Sequence, residues 1–337
     1  MSDSTTPDKP SKAKTTAIIA AGIGLTIALG VITYHNLRGQ VFEQVLRIGW
    51  PGFLAVIAAQ VVLFIPLGLA WWVVDPHESF GKTGVFMWGR IAREAASDVL
   101  PFSQVGGIVI QARCAILGGV TPASAFGSNI VDVTMEMVAQ IIYTLIGIAL
   151  LVVHLGFGGG NSKLLMTIVG SVGIGLLIVV SFIATQRKGL SKLGAFIRRL
   201  APSAAEHTDA MTQVIDEAYG QPMRLMIGLA LHIFAWFGGA WGTWLILDFM
   251  GHPLPFVSVV AIESLLFAAR NAAFVVPSGL GVQEGVYALL GPLFGLPSEA
   301  ALALSLLKRA RDIAVGVPVL LTWQLAEGRR TLADRRA

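Results

Sequence analysis

The stretch Phe256–Gly285, FVSVVAIESLLFAARNAAFVVPSGLGVQEG, decides how the whole chain is to be read. It is apolar enough for a helix in lipid up to Val276, yet it holds Glu263 and Arg270, and Val276-Pro277-Ser278-Gly279-Leu280-Gly281 then interrupts it. Proline removes a backbone donor and glycine tolerates positive φ, so the stretch predicts two half-helices meeting at a bend. Irregular backbone at membrane depth survives only inside protein or beside a water-filled cavity. The segment Phe256–Phe294 therefore reads as a re-entrant hairpin with its bend in the interior. Gly84–Gly118 has the same build, broken at Leu100-Pro101-Phe102-Ser103-Gln104-Val105-Gly106-Gly107.

The rest of the chain fits that reading. Of 337 residues, 55% are hydrophobic and 13% charged, against roughly 25% charged in an ordinary globular domain. A mean hydropathy of +0.72 leaves too little polar surface for a globule in water, and it excludes disorder, which needs low hydrophobicity and many charges. Cys114 is alone, which excludes a disulfide scaffold. About 20 apolar residues cross the hydrocarbon, and six stretches qualify: Thr15–Tyr34, Ile48–Val74, Phe126–Val153, Lys163–Thr185, Met223–Met250 and Glu299–Ala326. The expected architecture is an all-α polytopic integral membrane protein with six full spans and two re-entrant helical hairpins.

Lys and Arg counts orient it. With the N-terminus inside, thirteen basic residues fall in cytoplasmic segments and three outside, so both termini are expected in the cytoplasm. The net charge of +4 and pI near 9.4 are thereby explained by topology; no nucleic-acid motif accompanies them. The expected divisions are a cytoplasmic tail over 1–14, a first membrane repeat over 15–155, a second over 156–326 with a cytoplasmic loop at 186–222, and a tail over 327–337.

The two membrane parts resemble each other at a nearly fixed offset. Pro101 and Pro277 are 176 positions apart, Pro122 and Pro297 175, and the spans from Ile48 and Met223 again 175. Each half reads as span, span, hairpin, span, an odd number of crossings, so the second half is inverted. Inverted halves with broken helices converging near the midplane are a transporter pattern.

Seven basic residues fall in embedded segments: Arg90, Arg93, Arg113, Arg270, Lys308, Arg309 and Arg311. At roughly 2.5–3.5 kcal/mol each on insertion scales, they require partners, water or an acidic ligand. Asn129, Asp132, Glu136, Gln140 and Tyr143 recur at helical spacing and form one polar face. Lys308 and Asp312 are one turn apart, and Glu263 and Arg270 two turns. The limbs add Glu94, Asp98 and Asn271. The bend opens a half-helix that Ser278 is expected to cap, with Gln283 and Glu284 in its first turn, and free N–H groups at such an end favour an anion. Arginine suits bidentate phosphate recognition.

On these residues the chain resembles the flippase-like membrane family typified by the membrane domain of lysylphosphatidylglycerol synthases. The resemblance rests on Pro101, Gly106-Gly107, Gln111, Arg113, Gly119 and Ser124. It continues in Glu263, Arg270, the run Val276 to Gly285, and Leu307-Lys308-Arg309-Ala310-Arg311-Asp312. In detail it is most similar to stand-alone members associated with hopanoid biosynthesis. The resemblance implies a bacterial inner-membrane homodimer that moves or binds a lipid, either a phospholipid or a hopanoid-type amphiphile. The synthases carry a soluble aminoacyltransferase domain after the membrane part, whereas this sequence ends at Ala337, so aminoacylation is not expected.

The leading expectation is thus a lipid flippase or transporter without metal or cofactor. Arg90, Arg93, Arg113, Arg270, Lys308, Arg309 and Arg311 would hold a head group. Asp132, Glu136, Glu263 and Glu284 would balance charge, one of them carrying a proton for coupling, and Glu94, Gln111, Asn271, Ser278, Gln283 and Asp312 complete the expected substrate-binding set. Two alternatives compete. A lipid-modifying enzyme is disfavoured because the Pro277-Ser278-Gly279 run is followed by Leu280 where a phosphatase motif needs histidine. A scaffold for lipid-synthesis enzymes would recruit through Arg187–Gln221, which otherwise reads as an ordinary positive-inside loop. No GxxxxGK[ST] loop is present, so direct ATP use is not expected.

Overall fold

The computed structural model describes residue 39 and residues 41–99, 103–155, 205–272 and 281–334. The expected spans Thr15–Tyr34 and Lys163–Thr185, the prolines at both bends, and Ser278 lie outside the described residues. The secondary structure is helical: α1 (Gly49–Val74), α2 (Thr83–Val99), α3 (Ser103–Leu117), α4 (Pro122–Leu155), α5 (Ala205–Tyr219), α6 (Pro222–Phe249), α7 (Phe256–Ala272), α8 (Val282–Leu290) and α9 (Ser298–Asp334).

Among the described residues, α1, α4 and α6 are long and apolar enough to cross a bilayer. With no water in hydrocarbon, the helix is what satisfies every backbone group of such a segment. Trp50, Leu54, Val62 and Ile65 on α1, and Met223, Met226, Phe234 and Trp241 on α6, stay exposed, as large side chains facing lipid do. The chain is an all-α, multi-pass membrane protein. The stretch expected to span at Glu299–Ala326 lies within α9, which has the length but carries Lys308, Arg309, Arg311 and Asp312 in its first half.

Three boundaries differ from expectation. The first break is shorter: Ser103 to Gly107 already belong to α3, and the buried Gly107 lets that helix pack closely on α2. The loop expected at 186–222 contains α5, whose Val214, Ile215 and Ala218 are buried and which packs on α4. Last, α9 runs past Ala326 to Asp334, so most of the expected tail is helix.

Packing is close where glycine removes a side chain. A Cβ at Gly52, early in α1, would lie 3.0 Å from the Phe249 ring at the end of α6, and one at Gly228, early in α6, 2.9 Å from Val74 at the end of α1. The two helices are therefore antiparallel. The remaining contacts come in matched sets: α2 with α3 and α7 with α8; α3 with α4 and α8 with α9; α4 with α7 and α9 with α2; α4 with α6 and α9 with α1. Apolar clusters centre on Trp71, Phe86, Val131 and Ile215, on Tyr143, Leu247, Leu266 and Leu304, and on Ala95, Ala96 and Leu320.

Candidate functional site

The polar face of α4 is where the first group of charges assembles. Its spacing of four between Asp132 and Glu136 aims both carboxylates at α2 and its neighbours. Arg90 of α2 donates to Glu136 through both terminal nitrogens and approaches Asp132 Oδ2 at 3.4 Å. It also pairs with Glu94, one turn on, at 2.8 Å. Arg93 reaches Glu136 at 2.8 Å and donates to Gln111 Oε1 of α3 at 3.2 Å. Arg93 can do so because Gly107 lets α3 approach: a Cβ there would sit 2.9 Å from the Arg93 carbonyl oxygen. From α6, His232 Nε2 lies 2.9 Å from Asp132 Oδ1. Arg90, Gln111, Asp132 and His232 are all essentially inaccessible to solvent. Removing ions from water costs several kcal/mol each, and only partners this close offset it.

A second group has the opposite arrangement of signs. Here α7 carries the acid, Glu263, and α9 carries the base, Lys308, at 2.7 Å. Tyr287 of α8 completes a triad: its hydroxyl donates to Glu263 and lies 2.8 Å from the ammonium. All three are buried. Lys308 thus turns away from Asp312, its expected companion one turn along. The shorter-range neighbour Arg311 takes Asp312 instead, at 2.6 Å.

The third group lies where α2, α7, α8 and α9 converge. Arg270 reaches across to Asp98 at 3.3 Å. Arg309 holds both oxygens of Glu284, at 2.7 and 3.1 Å, and Ser305 donates to the same carboxylate at 3.0 Å. Gln283 donates to Ser305. Glu284 also accepts from the N–H of Gly281, whose φ of +80° makes it the N-cap of α8. The expected cap, Ser278, precedes this turn and lies outside the described residues. The first-turn carboxylate occupies the helix end, which removes it as an open anion site. Asp98, Arg270, Gln283, Arg309, Asp312 and Ile313 line a cleft with about 340 Å³ of unfilled space, part of it open to the surroundings.

The charged side chains singled out from the sequence do not all meet at one place. Low dielectric favours direct pairing over loosely held water, so these charges gather into three groups, and the third borders the cleft. Of the expected ligands, Arg270, Gln283, Arg309 and Asp312 border the cleft. Arg90, Arg93, Glu94, Gln111, Asp132 and Glu136 form the first group, and Glu263 and Lys308 the second. Asn271 donates to Gln140 across α4 and α7. Arg113 joins none of these. Partly exposed, it binds Glu327 of α9 through two nitrogens, at 2.7 and 3.1 Å.

The sequence reading left Asp98, Tyr287, Ser305 and His232 out of the site. Asp98 had a local signal, since Arg90, Glu94 and Asp98 repeat every four residues along one face. Tyr287 is likewise one turn beyond Gln283. His232 stands alone in an apolar helix and reads as core from its neighbours, because its partner is 100 residues away.

The family model described as Lysylphosphatidylglycerol synthase TM region matches residues 17–319, about nine-tenths of the chain. Comparisons with curated proteins and with solved structures give no match.

Proposed function

This chain belongs to the family of lysylphosphatidylglycerol synthase transmembrane regions, and from that premise we propose that it is a lipid flippase or transporter rather than an enzyme. The head group of a phospholipid or hopanoid-type amphiphile enters the cleft bordered by Arg270, Arg309, Gln283, Asp98 and Asp312, while the tails stay in the bilayer. The cleft carries this reading: it is unfilled, it is lined by guanidinium and carboxylate groups, and it sits at the seam of the two halves.

The arrangement of helices supports an inverted repeat of two membrane halves. Exchanging α1, α2, α3 and α4 for α6, α7, α8 and α9 turns the contact pattern into itself. The mates α1 and α6 run antiparallel, as an axis in the membrane plane requires. Side-chain contacts follow: Gln140 meets Asn271, and 176 positions from each, Gly316 packs against Ala95. An inverted repeat supplies two faces of similar shape to the two leaflets, which a carrier needs and a scaffold does not. With the positive-inside count, both termini lie in the cytoplasm of a bacterium's inner membrane.

A scaffold role through the segment before α6 is disfavoured by α5, which spends its apolar face on α4. The test is transbilayer movement of fluorescent phospholipid in liposomes holding purified protein. Wild type exceeds protein-free vesicles, and Arg270→Ala slows movement by at least about tenfold, the equivalent of 1.4 kcal/mol. Equal rates for wild type, Arg270→Ala and empty vesicles, with a hopanoid probe tried as well, overturn the reading.

A further inference from the structure

The first charged group does not sum to zero. It holds two guanidiniums, Arg90 and Arg93, against three carboxylates, Glu94, Asp132 and Glu136. The second group, Glu263 with Lys308, balances. So does the third, where Asp98, Glu284 and Asp312 meet Arg270, Arg309 and Arg311. An uncompensated charge between apolar helices is costly. Among the described residues, a further ionisable group that touches the first set is His232, fully buried and 2.9 Å from Asp132. Its other nitrogen, Nδ1, is buried with no hydrogen-bond partner among the described residues.

We propose that His232 and Asp132 form a proton-binding site that controls lipid passage through the cleft. The proposal rests on the transport reading. The proton adds to an imidazole nitrogen of His232 when it binds, and leaves from there when it is released. Bound, it makes the first group neutral; released, it leaves one carboxylate unmatched. The effect reaches the cleft along a single helix face. Asp132 meets Arg90, Arg90 meets Glu94 at 2.8 Å, and Asp98 follows one turn later, holding Arg270 in the cleft. With the proton bound, Arg90 and Arg93 are fully shared among their acids, and the path to Asp98 is at rest. With it released, the unmatched carboxylate draws on Arg90, Glu94 loses its hold, and the Asp98–Arg270 contact loosens to admit a head group.

Among the described residues, the contact made by the imidazole is with Asp132. α1, packed on α6, has no ionisable side chain. From α2 and α4 come Arg90, Arg93, Asp132 and Glu136. On α7, Glu263 is taken by Lys308 and Arg270 by Asp98. On α9, Arg309 is taken by Glu284, Arg311 by Asp312 and Glu327 by Arg113. On α5, Glu217 is taken by His77.

Two measurements test this. In liposomes, wild-type transport rises at least about threefold as the pH is raised from about 5 to about 8. His232→Gln is flat at the fast rate. Asp132→Asn with His232→Gln restores neutrality and is flat at the slow rate. Independently of transport, the thermal midpoint of His232→Gln in detergent falls below wild type at low pH and converges on it at high pH, and adding Asp132→Asn removes the difference. Should His232→Gln not accumulate, Asp132→Asn alone serves, since it also flattens the wild-type pH profile. Parallel wild-type and variant profiles in both measurements overturn the proton site and leave the carrier reading intact. If no lipid moves at any pH, the carrier reading fails, and the thermal midpoints still decide whether His232 binds the proton.

Discussion

Lys308 shows what a single buried charge demands. Its ammonium is held at 2.7 Å by Glu263 and at 2.8 Å by the Tyr287 hydroxyl, with none of the three open to solvent. A buried pair of this kind adds little net stability over an apolar replacement, but losing one partner strands the other. Lys308→Met is therefore expected to destabilise the fold by about 3–5 kcal/mol, while Glu263→Gln with Lys308→Met regains most of it. Unfolding of detergent-solubilised variants followed by tryptophan fluorescence checks both values, and equal losses in the single and double variants contradict the pairing. The sequence shows that Glu263 and Lys308 need partners, since each stands in an apolar run. It does not show that they are each other's partner. Spacing along one helix pointed instead to Asp312 for Lys308, and only the approach of α7 to α9 through α8 decides otherwise. His232 is the extreme case: nothing within its own helix hints at Asp132.

At the level of elements, glycine placement sets how near two helices come. A Cβ at Gly68 of α1 would lie 2.5 Å from the Met87 Cα of α2, backbone that no rotamer change moves aside. Gly242 of α6 has nothing within 4 Å. Gly68→Ala should then cost about 1–3 kcal/mol as overpacking, whereas Gly242→Ala should be neutral or stabilise by up to about 1 kcal/mol through helix propensity. Thermal midpoints of the two variants side by side test this, and similar shifts in both contradict the packing. Helix identity was legible for a related reason. Apolar length alone marks α1, α4 and α6, and the spacing of three and four residues between Asn129, Asp132, Glu136 and Gln140 marks the inward face of α4. The α5 helix was missed although Met211, Val214, Ile215 and Ala218 recur at helical spacing, because the basic residues of the segment before α6 read as a positive-inside loop. Where a charged amphipathic helix docks on a membrane helix, burial of a few small side chains decides the outcome, and composition hides it.

For the whole molecule, the reciprocal contacts of the two halves give a mechanical test of movement. α9 lies against α2, with a Cβ at Gly316 3.5 Å from the Ala95 Cα; a second seam brings Gln140 of α4 to Asn271 of α7. A carrier built from two halves alternates by rocking one against the other, so both seams change during a cycle. A cysteine pair at 95 and 316, in a Cys114→Ser background, suits a disulfide, since a Cβ at 316 falls 3.5 Å from the Ala95 Cα and bridged Cβ atoms sit about 3.5–4.5 Å apart. Oxidising this pair should stop transbilayer movement of lipid, and reductant should restore it. Cross-linked protein that moves lipid at the reduced rate means that the seams stay fixed during passage. The head group then travels along a static groove at the cleft, and the two halves serve as a frame rather than as moving parts.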